Sequence, residues 1–492
     1  MWYGLFWYLL VFGIVSGLMS FFLRLNFVKV ITKLKFSNSS SLLNLNLIFV
    51  FNLITIIFAY ATNLEFQKQL LNYATSQTSF LNENTALLIL KKNALFEFTT
   101  TMHYYFPFFY IFILITALSI FFCLSYNSGE IREFTTYCVI ILIAGFGLFA
   151  TKTFIGFFFF YECLLVPSFF ILYKFAKTRR CVEAAYLMFF WTQFGALFLI
   201  FSFLYLFAIT GSTAFQVSEI FAFSRFESNF LFACWFIGFG VKLPIWPFYG
   251  WLPKAHVEAS TNFSIFLSGV LVKFAFFGLL KCLLTLKIEP TLIYVYPFLI
   301  VGLIDSVFKL FYQIDLKKLV AYSTVVEMHW LTFCIISGQS GLLLSGFCML
   351  ISHALMSTNS FLLVDALNRR FKTRLITEIG GVNFLCPKLF LAILVNLLIF
   401  LGFPGSLFFI AETLFFSFLF DLFPICGILF VFLLYFCAPI FFFRSWMNAM
   451  FGLTRTLSSA IPVDLLNKEI AVYFGISFLM FWLGITWQEF LF

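Results

Sequence analysis

Residues Gly238 to Lys281 read GFGVKLPIWPFYGWLPKAHVEASTNFSIFLSGVLVKFAFFGLLK. This stretch places Lys242 and Lys273 in two successive apolar segments, each long enough to cross a bilayer. A charge at the centre of a membrane helix costs about 2.5 to 3.5 kcal/mol on insertion scales, so such lysines face a bundle interior, a partner or water. Prolines at 244, 247 and 253 predict a broken helix directly after Lys242. Broken helices that carry charge are typical of transporters.

The composition of the whole chain indicates a membrane protein. Of its 492 residues, 63% are hydrophobic and 10% are charged, whereas soluble domains have about 25% charged residues. Apolar runs of about 17 to 25 residues predict an all-α polytopic membrane protein with about fourteen transmembrane helices. The predicted spans lie near 2–24, 45–62, 106–126, 135–151, 153–174, 184–210, 229–250, 258–283, 291–312, 317–337, 341–366, 386–418, 422–443 and 470–490. A polar stretch over 63–105 is predicted to be one long loop.

The distribution of basic and cysteine residues excludes several function classes. Loops after odd-numbered spans hold most of the 30 Lys and Arg residues, so the positive-inside rule places these loops, and the net charge of +9, at the inner face. A nucleic-acid partner therefore has no support. The 11 cysteines form no C-x-x-C pair, which argues against an iron–sulfur or zinc site. We therefore expect no metal and no cofactor to be bound by this chain.

Glu162 and Lys242 are two intramembrane charges that could form part of an ion path. Glu162 lies deep in the fifth predicted span, and we expect Lys242 to be its partner. Burial disfavours the charged form of both side chains while pairing favours it, so the two could exchange a proton. The alternative is a static ion pair that fixes packing. Lys273 has no acid within a helical turn, which fits a proton relay; the alternative is that its side chain reaches the inner surface.

Further titratable side chains lie in the later spans. Asp305 and Lys309 are four residues apart on one helical face and could neutralise each other. Glu327 and His329 are two apart and point to different faces, so one could line a path while the other bonds a neighbouring backbone group; the residue types do not decide which. His353 has hydroxyl-bearing neighbours and could pass protons from either ring nitrogen, or serve only as a packing residue.

Glu412 follows a second predicted helix break. Gly402, Pro404 and Gly405 precede it in LGFPGSLFFIAE. The pattern repeats the break behind Lys242 with an acid in place of a base. Two broken, charged helices five spans apart indicate an internal structural repeat with ion sites near the membrane midplane.

Six motifs resemble the chain-four family of mitochondrial NADH:ubiquinone oxidoreductase, the respiratory complex I. In chain order they are VKLPIWPFYGWLPKAHVEA, SGVLVKFAFFGLLK, DLKKLVAYSTVVEM, LISHALMS, NRRFKTRLITEIGG and GFPGSLFFIAE. The resemblance covers residues from about 150 to 420. It implies an antiporter-like subunit of the membrane arm with two inverted five-helix repeats that contain broken helices. The repeats would span 135–290 and 291–443, flanked by an N-terminal region, 1–134, and a C-terminal region, 444–492.

The resemblance also implies a site and a setting. The proton relay would consist of Glu162, Lys242, Lys273, His353 and Glu412. FMN, iron–sulfur clusters, NADH and ubiquinone would belong to other subunits. The implied partners are other membrane-arm subunits, including adjacent antiporter-like subunits, accessory subunits and lipids such as cardiolipin. The implied location is the mitochondrial inner membrane, with the chain encoded in the organelle; its 81 Phe residues fit the AT-rich codons of some organellar genomes.

One position departs from the family pattern. Relatives commonly read S-x-S-H-M where this chain reads Val325-Val326-Glu327-Met328. Either the relay is rearranged or this position needs only a titratable group, so Glu327 and His329 join the relay candidates. Two alternatives remain: a subunit of a multisubunit sodium/proton antiporter, and a structural scaffold with static salt bridges. Many such antiporter chains carry a lysine where this chain has Glu412, which favours the complex I interpretation.

Overall fold

The computed structural model describes residues 111–119, 128–175, 178–221, 223–285, 295–422, 424–452 and 463–487. Within these ranges every regular element is a helix, which confirms the all-α prediction for them, and two isolated bridges join Thr153 to Ala214 and Asp315 to Leu375. The first two predicted spans and the predicted loop 63–105 lie outside the described residues. Of the third predicted span, residues 111–119 are described and are helical.

Eighteen further helices with described bounds are numbered here in chain order. They are α1 (Ser128–Ala150), α2 (Phe154–Cys163), α3 (Leu165–Lys174), α4 (Arg179–Thr210), α5 (Phe215–Ile220), α6 (Arg225–Lys242), α7 (Trp251–Glu258), α8 (Thr261–Phe266), α9 (Val272–Thr285), α10 (Val295–Phe311), α11 (Leu316–Ile336), α12 (Ser340–Phe371), α13 (Val382–Leu385), α14 (Pro387–Phe400), α15 (Leu407–Leu422), α16 (Pro424–Val431), α17 (Ala438–Phe451) and α18 (Asn467–Ile485). A single 3₁₀ turn spans Phe248–Gly250, and π-helical segments span Leu267–Leu271 and Phe432–Cys437.

The chain divides into two compact units. Described residues 115–119 and those from 140 to 487 belong to the larger unit, while 111–114 and 128–139 belong to the smaller one. Every candidate site residue lies in the larger unit.

Local sequence signals fix several helix ends. The Thr178 side chain accepts a hydrogen bond from the Cys181 amide at the start of α4, and Gly211, with φ of 65°, ends the same helix. Ser224 and Glu227 form a capping box at the start of α6. These side chains satisfy backbone groups that a helix end leaves without a partner.

Three helical spans form the interior of the larger unit. Seven spans within the described residues are long and apolar enough to cross a membrane: Glu130–Ala150, Phe154–Lys174, Arg179–Thr210, Thr261–Leu284, Leu316–Ile336, Ser340–Phe371 and Gly427–Phe451. Thr261–Leu284, Leu316–Ile336 and Ser340–Phe371 are each 94% buried, whereas the other four are 39% to 50% buried. A helix that is apolar on all sides and buried belongs to the core. These three core helices carry Lys273, Glu327 and His353.

Both predicted helix breaks are present. Helix α6 ends at Lys242, and the chain then continues through Pro244 and Pro247 before α7 begins. Helix α14 ends at Phe400, and two glycines with positive φ follow it before α15 begins. The spans predicted over 229–250 and 386–418 are therefore each interrupted. Their apolar character is continuous, but proline removes a backbone donor and positive φ stops the right-handed helix.

Candidate functional site

The first site lies where α6 ends. The Lys242 ammonium donates a hydrogen bond to the Tyr161 carbonyl oxygen over 3.1 Å and lies 3.4 Å from the centroid of the Tyr161 ring. The carbonyl dipole and the ring face both favour a positive charge. Glu162 instead accepts a hydrogen bond from the Gln193 side-chain amide over 2.7 Å, and its other oxygen has no partner within the described residues.

The expected pairing of Glu162 with Lys242 therefore differs from the observed contacts. No ion pair joins these two side chains in the described residues, so they make neither the direct contact expected for proton exchange nor the static salt bridge of the alternative. The adjacent residue, Tyr161, supplies the lysine's oxygen through its backbone. A sequence shows which side chains can pair, but it does not show that a carbonyl one residue away will lie closer.

A small cavity adjoins Lys242. Its volume is about 30 Å³, and its polar lining consists of Lys242 together with Ser168 and Thr192. Leu267, Leu271 and Val272, directly before Lys273 in the chain, also line it. A cavity of this volume has room for about one or two water molecules.

The second site is a line of three buried side chains from the three core helices. The Lys273 Nζ atom lies 2.8 Å from His353 Nδ1 and also donates to the Ser268 carbonyl oxygen. His353 Nε2 lies 3.5 Å from Glu327 Oε2. Lys273 is completely buried, so the alternative in which it reaches the inner surface is wrong. The imidazole, which has a nitrogen towards each neighbour, joins a base to an acid.

Glu412 lies at the second helix break. Its side chain is buried, and its Oε2 atom has no hydrogen-bond partner within the described residues. A Cβ atom on Gly402 would lie 2.3 Å from this oxygen, so the carboxylate rests on a backbone that only glycine leaves open. The Ser345 hydroxyl of α12 donates to the Ala411 carbonyl over 2.7 Å and holds this turn of α15 against the core.

The structure separates Glu327 from His329, a choice that the residue types left open. Glu327 faces His353, as described above. His329 Nε2 accepts a hydrogen bond from the Trp246 amide over 2.9 Å, and Nδ1 lies 2.8 Å from the Val325 carbonyl. Glu327 thus belongs to the line of titratable groups, and His329 satisfies a neighbouring backbone group.

Asp305 and Lys309 pair as their spacing predicted. The Lys309 ammonium lies 2.8 Å from the Asp305 carboxylate, and the Tyr249 hydroxyl contacts both side chains. Both charges are partly exposed. They lie outside the line formed by Lys273, His353 and Glu327.

Two buried bases were missed in the sequence. His256 is completely buried, its ring stacks on Phe361 at 4.9 Å, and neither ring nitrogen has a hydrogen-bond partner within the described residues. Lys317 is buried and donates to the Ala259 carbonyl over 2.5 Å. Both residues stand in motifs quoted above, but hydropathy assigned His256 to a loop and Lys317 to the basic residues of a loop. Only the tertiary packing reveals their burial.

Ionisable side chains at two helix breaks, Lys242 partly buried and Glu412 buried, within a bundle of apolar helices define the class of antiporter-like membrane proteins. The chain belongs to the NADH:quinone oxidoreductase/Mrp antiporter transmembrane family, whose model matches residues 151–438. It is 36% identical over 360 residues to NADH-ubiquinone oxidoreductase chain 4 of Paramecium tetraurelia, covering 72% of this chain and 76% of that one. The corresponding chain 4 of Chondrus crispus is 33% identical over 340 residues, covering 65% and 68%.

Solved structures share the fold. Respiratory complex I from Thermus thermophilus with bound NADH contains a chain that matches with a TM-score of 0.67 and 20% identity, covering 78% of this chain and 82% of that one. The Mrp complex from Dietzia sp. contains a chain that matches with a TM-score of 0.68 and 14% identity, with the same two coverages. At these identities the likeness shows the fold alone.

Proposed function

We propose that this chain is a proton-translocating membrane-arm subunit of NADH:ubiquinone oxidoreductase, the respiratory complex I. It would act as part of a translocase that couples NADH oxidation by ubiquinone to proton pumping. The names of its curated relatives support the assignment. The observation that carries the mechanism is the buried line in which Lys273, His353 and Glu327 each come from a different core helix. A scaffold without ion transport would have no need of three buried titratable groups in a row, separated by contacts of 2.8 and 3.5 Å.

Proton transfer along this line follows from the imidazole geometry. The Lys273 ammonium would give a proton to His353 Nδ1, and His353 would release a proton from Nε2 to the Glu327 carboxylate. The first transfer crosses the 2.8 Å contact, and the second requires His353 Nε2 and Glu327 Oε2, 3.5 Å apart and not hydrogen-bonded, to move closer together. The two transfers together leave lysine neutral, histidine neutral and glutamate protonated. Histidine suits the middle position because its two nitrogens face different partners.

Lys242 would exchange protons with Lys273 through water in the adjoining cavity. Lys242 lines that cavity, and so do the residues that directly precede Lys273. Glu162 follows Tyr161, whose carbonyl binds Lys242, and a carboxylate there would favour a positive charge on the lysine without direct contact. A neutral or charged state of Glu162 would therefore favour a different charge state of the lysine.

The ends of the relay would be Glu412 and His256. Glu412 Oε2 and both ring nitrogens of His256 are buried and have no hydrogen-bond partner within the described residues. Glu412 would receive the proton from Glu327 at the second break. His256 and Lys317 would extend the relay at its other end.

The proposed architecture has fourteen membrane helices and two inverted five-helix repeats, 135–290 and 291–443. An N-terminal region, 1–134, and a C-terminal region, 444–492, would flank them. Two breaks support the repeat, because each follows an apolar helix and lies beside an ionisable side chain that is partly or fully buried. Broken helices at corresponding positions of two halves are typical of inverted-repeat transporters.

The proposed setting is the mitochondrial inner membrane, with the chain encoded in the organelle. FMN, iron–sulfur clusters, NADH and ubiquinone would be held by other subunits. Adjacent antiporter-like subunits, accessory subunits and lipids such as cardiolipin would surround this chain.

The test replaces Lys273 by Met in the assembled complex, reconstituted in vesicles, with NADH:ubiquinone turnover and proton uptake measured together. Losing the relay base should slow the blocked proton transfer on the order of 100-fold and lower the protons moved per NADH. Lys281→Met is the matched control, because Lys281 lies on the same helix but bonds the Thr151 carbonyl over 2.5 Å. Equal proton uptake in the Lys273→Met variant and the parent would refute the proposed function.

The alternative is a subunit of a sodium/proton antiporter, which the likeness to the Mrp complex supports. Such a subunit would exchange sodium for protons and would need no quinone chemistry. Proton uptake that depends on NADH and persists in sodium-free vesicles would exclude it.

A further inference from the structure

The helix break behind Lys242 leaves a backbone donor that α11 satisfies. The Trp246 amide lies beyond the last turn of α6 and donates to His329 Nε2 over 2.9 Å. His329 itself is buried. Because Nε2 accepts a hydrogen bond, the ring hydrogen must lie on Nδ1, which faces the Val325 carbonyl 2.8 Å away. Both ring nitrogens are thus engaged, and the imidazole is fixed as one neutral tautomer.

Helix α10 packs against the contact between His329 and Trp246. A Cβ atom on Gly302 would lie 2.2 Å from His329 Nε2 and 2.5 Å from Trp246 Cβ. The glycine therefore allows α10, α11 and the segment after Lys242 to meet at one point. The Trp246 ring packs on Phe298 of α10 at 5.8 Å between ring centroids.

A second polar contact lies three residues further along the same segment. The Tyr249 hydroxyl bonds the Asp305 carboxylate and accepts from the Lys309 ammonium over 2.5 Å. Asp305 and Lys309 both stand on α10. The segment from Lys242 to Gly250 is therefore attached to α10 by a phenol and to α11 by a backbone amide.

We propose that His329, Gly302 and the Tyr249–Asp305–Lys309 triad form a polar clamp that fixes the helix break behind Lys242. His329 is then a positioning residue that acts through the Trp246 amide and takes no part in proton transfer. Helix α11 also carries Glu327, so a shift of this helix moves the relay acid and the Lys242 break together. The proposal rests on the proposed function in one respect, that Lys242 takes part in proton transfer.

The test compares His329→Gln with His329→Leu in the assembled complex. Glutamine offers an oxygen to the Trp246 amide, whereas leucine leaves that partly buried amide without an acceptor. We expect His329→Leu to accelerate hydrogen exchange of the peptide containing residues 243–250 about tenfold or more, as expected for one lost buried hydrogen bond. It should also lower proton uptake per NADH. His329→Gln should restore both values and leave the pH profile of pumping unchanged, because the clamp histidine does not titrate.

A second variant opens the clamp without removing a polar group. Gly302→Ala should raise exchange in the same peptide and lower coupling. Gly475→Ala is its matched control, since a Cβ atom there would meet no atom within 4 Å. Both variants add one methyl group to a helical glycine, but only at the buried Gly302 would that group meet His329 and Trp246.

The possible results distinguish failure of the clamp proposal from failure of the proposed function. Unchanged exchange and pumping in both His329→Leu and Gly302→Ala would overturn the clamp, while Lys273→Met would still test the relay. Loss of pumping in His329→Gln with normal exchange at 243–250 would show that His329 carries protons, which also overturns the proposal. Loss in His329→Leu with rescue by His329→Gln supports it.

Discussion

At the residue scale, the position of the Glu412 carboxylate depends on a single glycine. Gly402 and Gly405 have φ values of 70° and 90°, so alanine at either position costs about 1 to 2 kcal/mol of strain. Only at Gly402 would the new Cβ atom meet the Glu412 carboxylate; nothing lies within 4 Å of a Cβ atom on Gly405. Gly402→Ala should therefore reduce proton uptake per NADH, and Gly405→Ala should not. Equal proton uptake in the two variants would mean that the carboxylate position does not matter.

Residue types in the sequence identify most of the charges inside the bundle, because a charged residue within an apolar run is costly unless it has a partner or a function. The buried Lys273 and Glu412 and the partly buried Lys242 were found in this way. The bonding partners were not, since the Tyr161 carbonyl and the Trp246 amide are backbone groups that any residue carries. His256 was missed because a histidine in a short polar motif gives no sign of burial.

At the element scale, α18 is tied to α12 by ion pairs. Glu469 lies 3.0 Å from Arg369 and 2.5 Å from Arg370, and both Glu469 and Arg370 are largely buried. Glu469→Ala would leave the Arg370 charge without its carboxylate, which should cost about 3 kcal/mol in the free energy of opening α18. Hydrogen exchange of residues 467–485 in the assembled complex measures this.

The matched control for that prediction is an exposed ion pair on α4. Arg179 and Glu183 lie 3.3 Å apart with side chains 92% and 65% exposed, so Glu183→Ala should change local stability by less than about 0.5 kcal/mol. Similar effects of the two substitutions would show that burial does not strengthen the Glu469 contacts.

The positions of helices were largely predictable at this scale. Long apolar runs predicted helices that the structure shows at 11 places after residue 128. The exact points of interruption were harder, because continuous apolar character conceals a break. Proline and glycine indicated both breaks, but the π-helical segments at Leu267–Leu271 and Phe432–Cys437 had no such signal.

At the scale of the whole molecule, the most buried helices are also those that carry the relay. Lipid tails are as apolar as the side chains of a protein core, so the hydrophobic effect does not sort polar residues to the surface of a membrane protein. Lys273, Glu327 and His353 can therefore meet on helices that are apolar elsewhere. Which helices become interior depends on the packing of the whole bundle, and the sequence pattern did not distinguish them from the outer ones.

The central claim is that the line of buried side chains carries protons and that position 327 needs a titratable group. The most direct measurement is proton uptake per NADH in reconstituted vesicles for Glu327→Gln and Glu327→His, beside the parent complex. We expect Glu327→Gln to lose coupled proton uptake, because glutamine cannot accept the proton released from His353, and Glu327→His to retain it. Parent-like uptake in Glu327→Gln would contradict the proposed path.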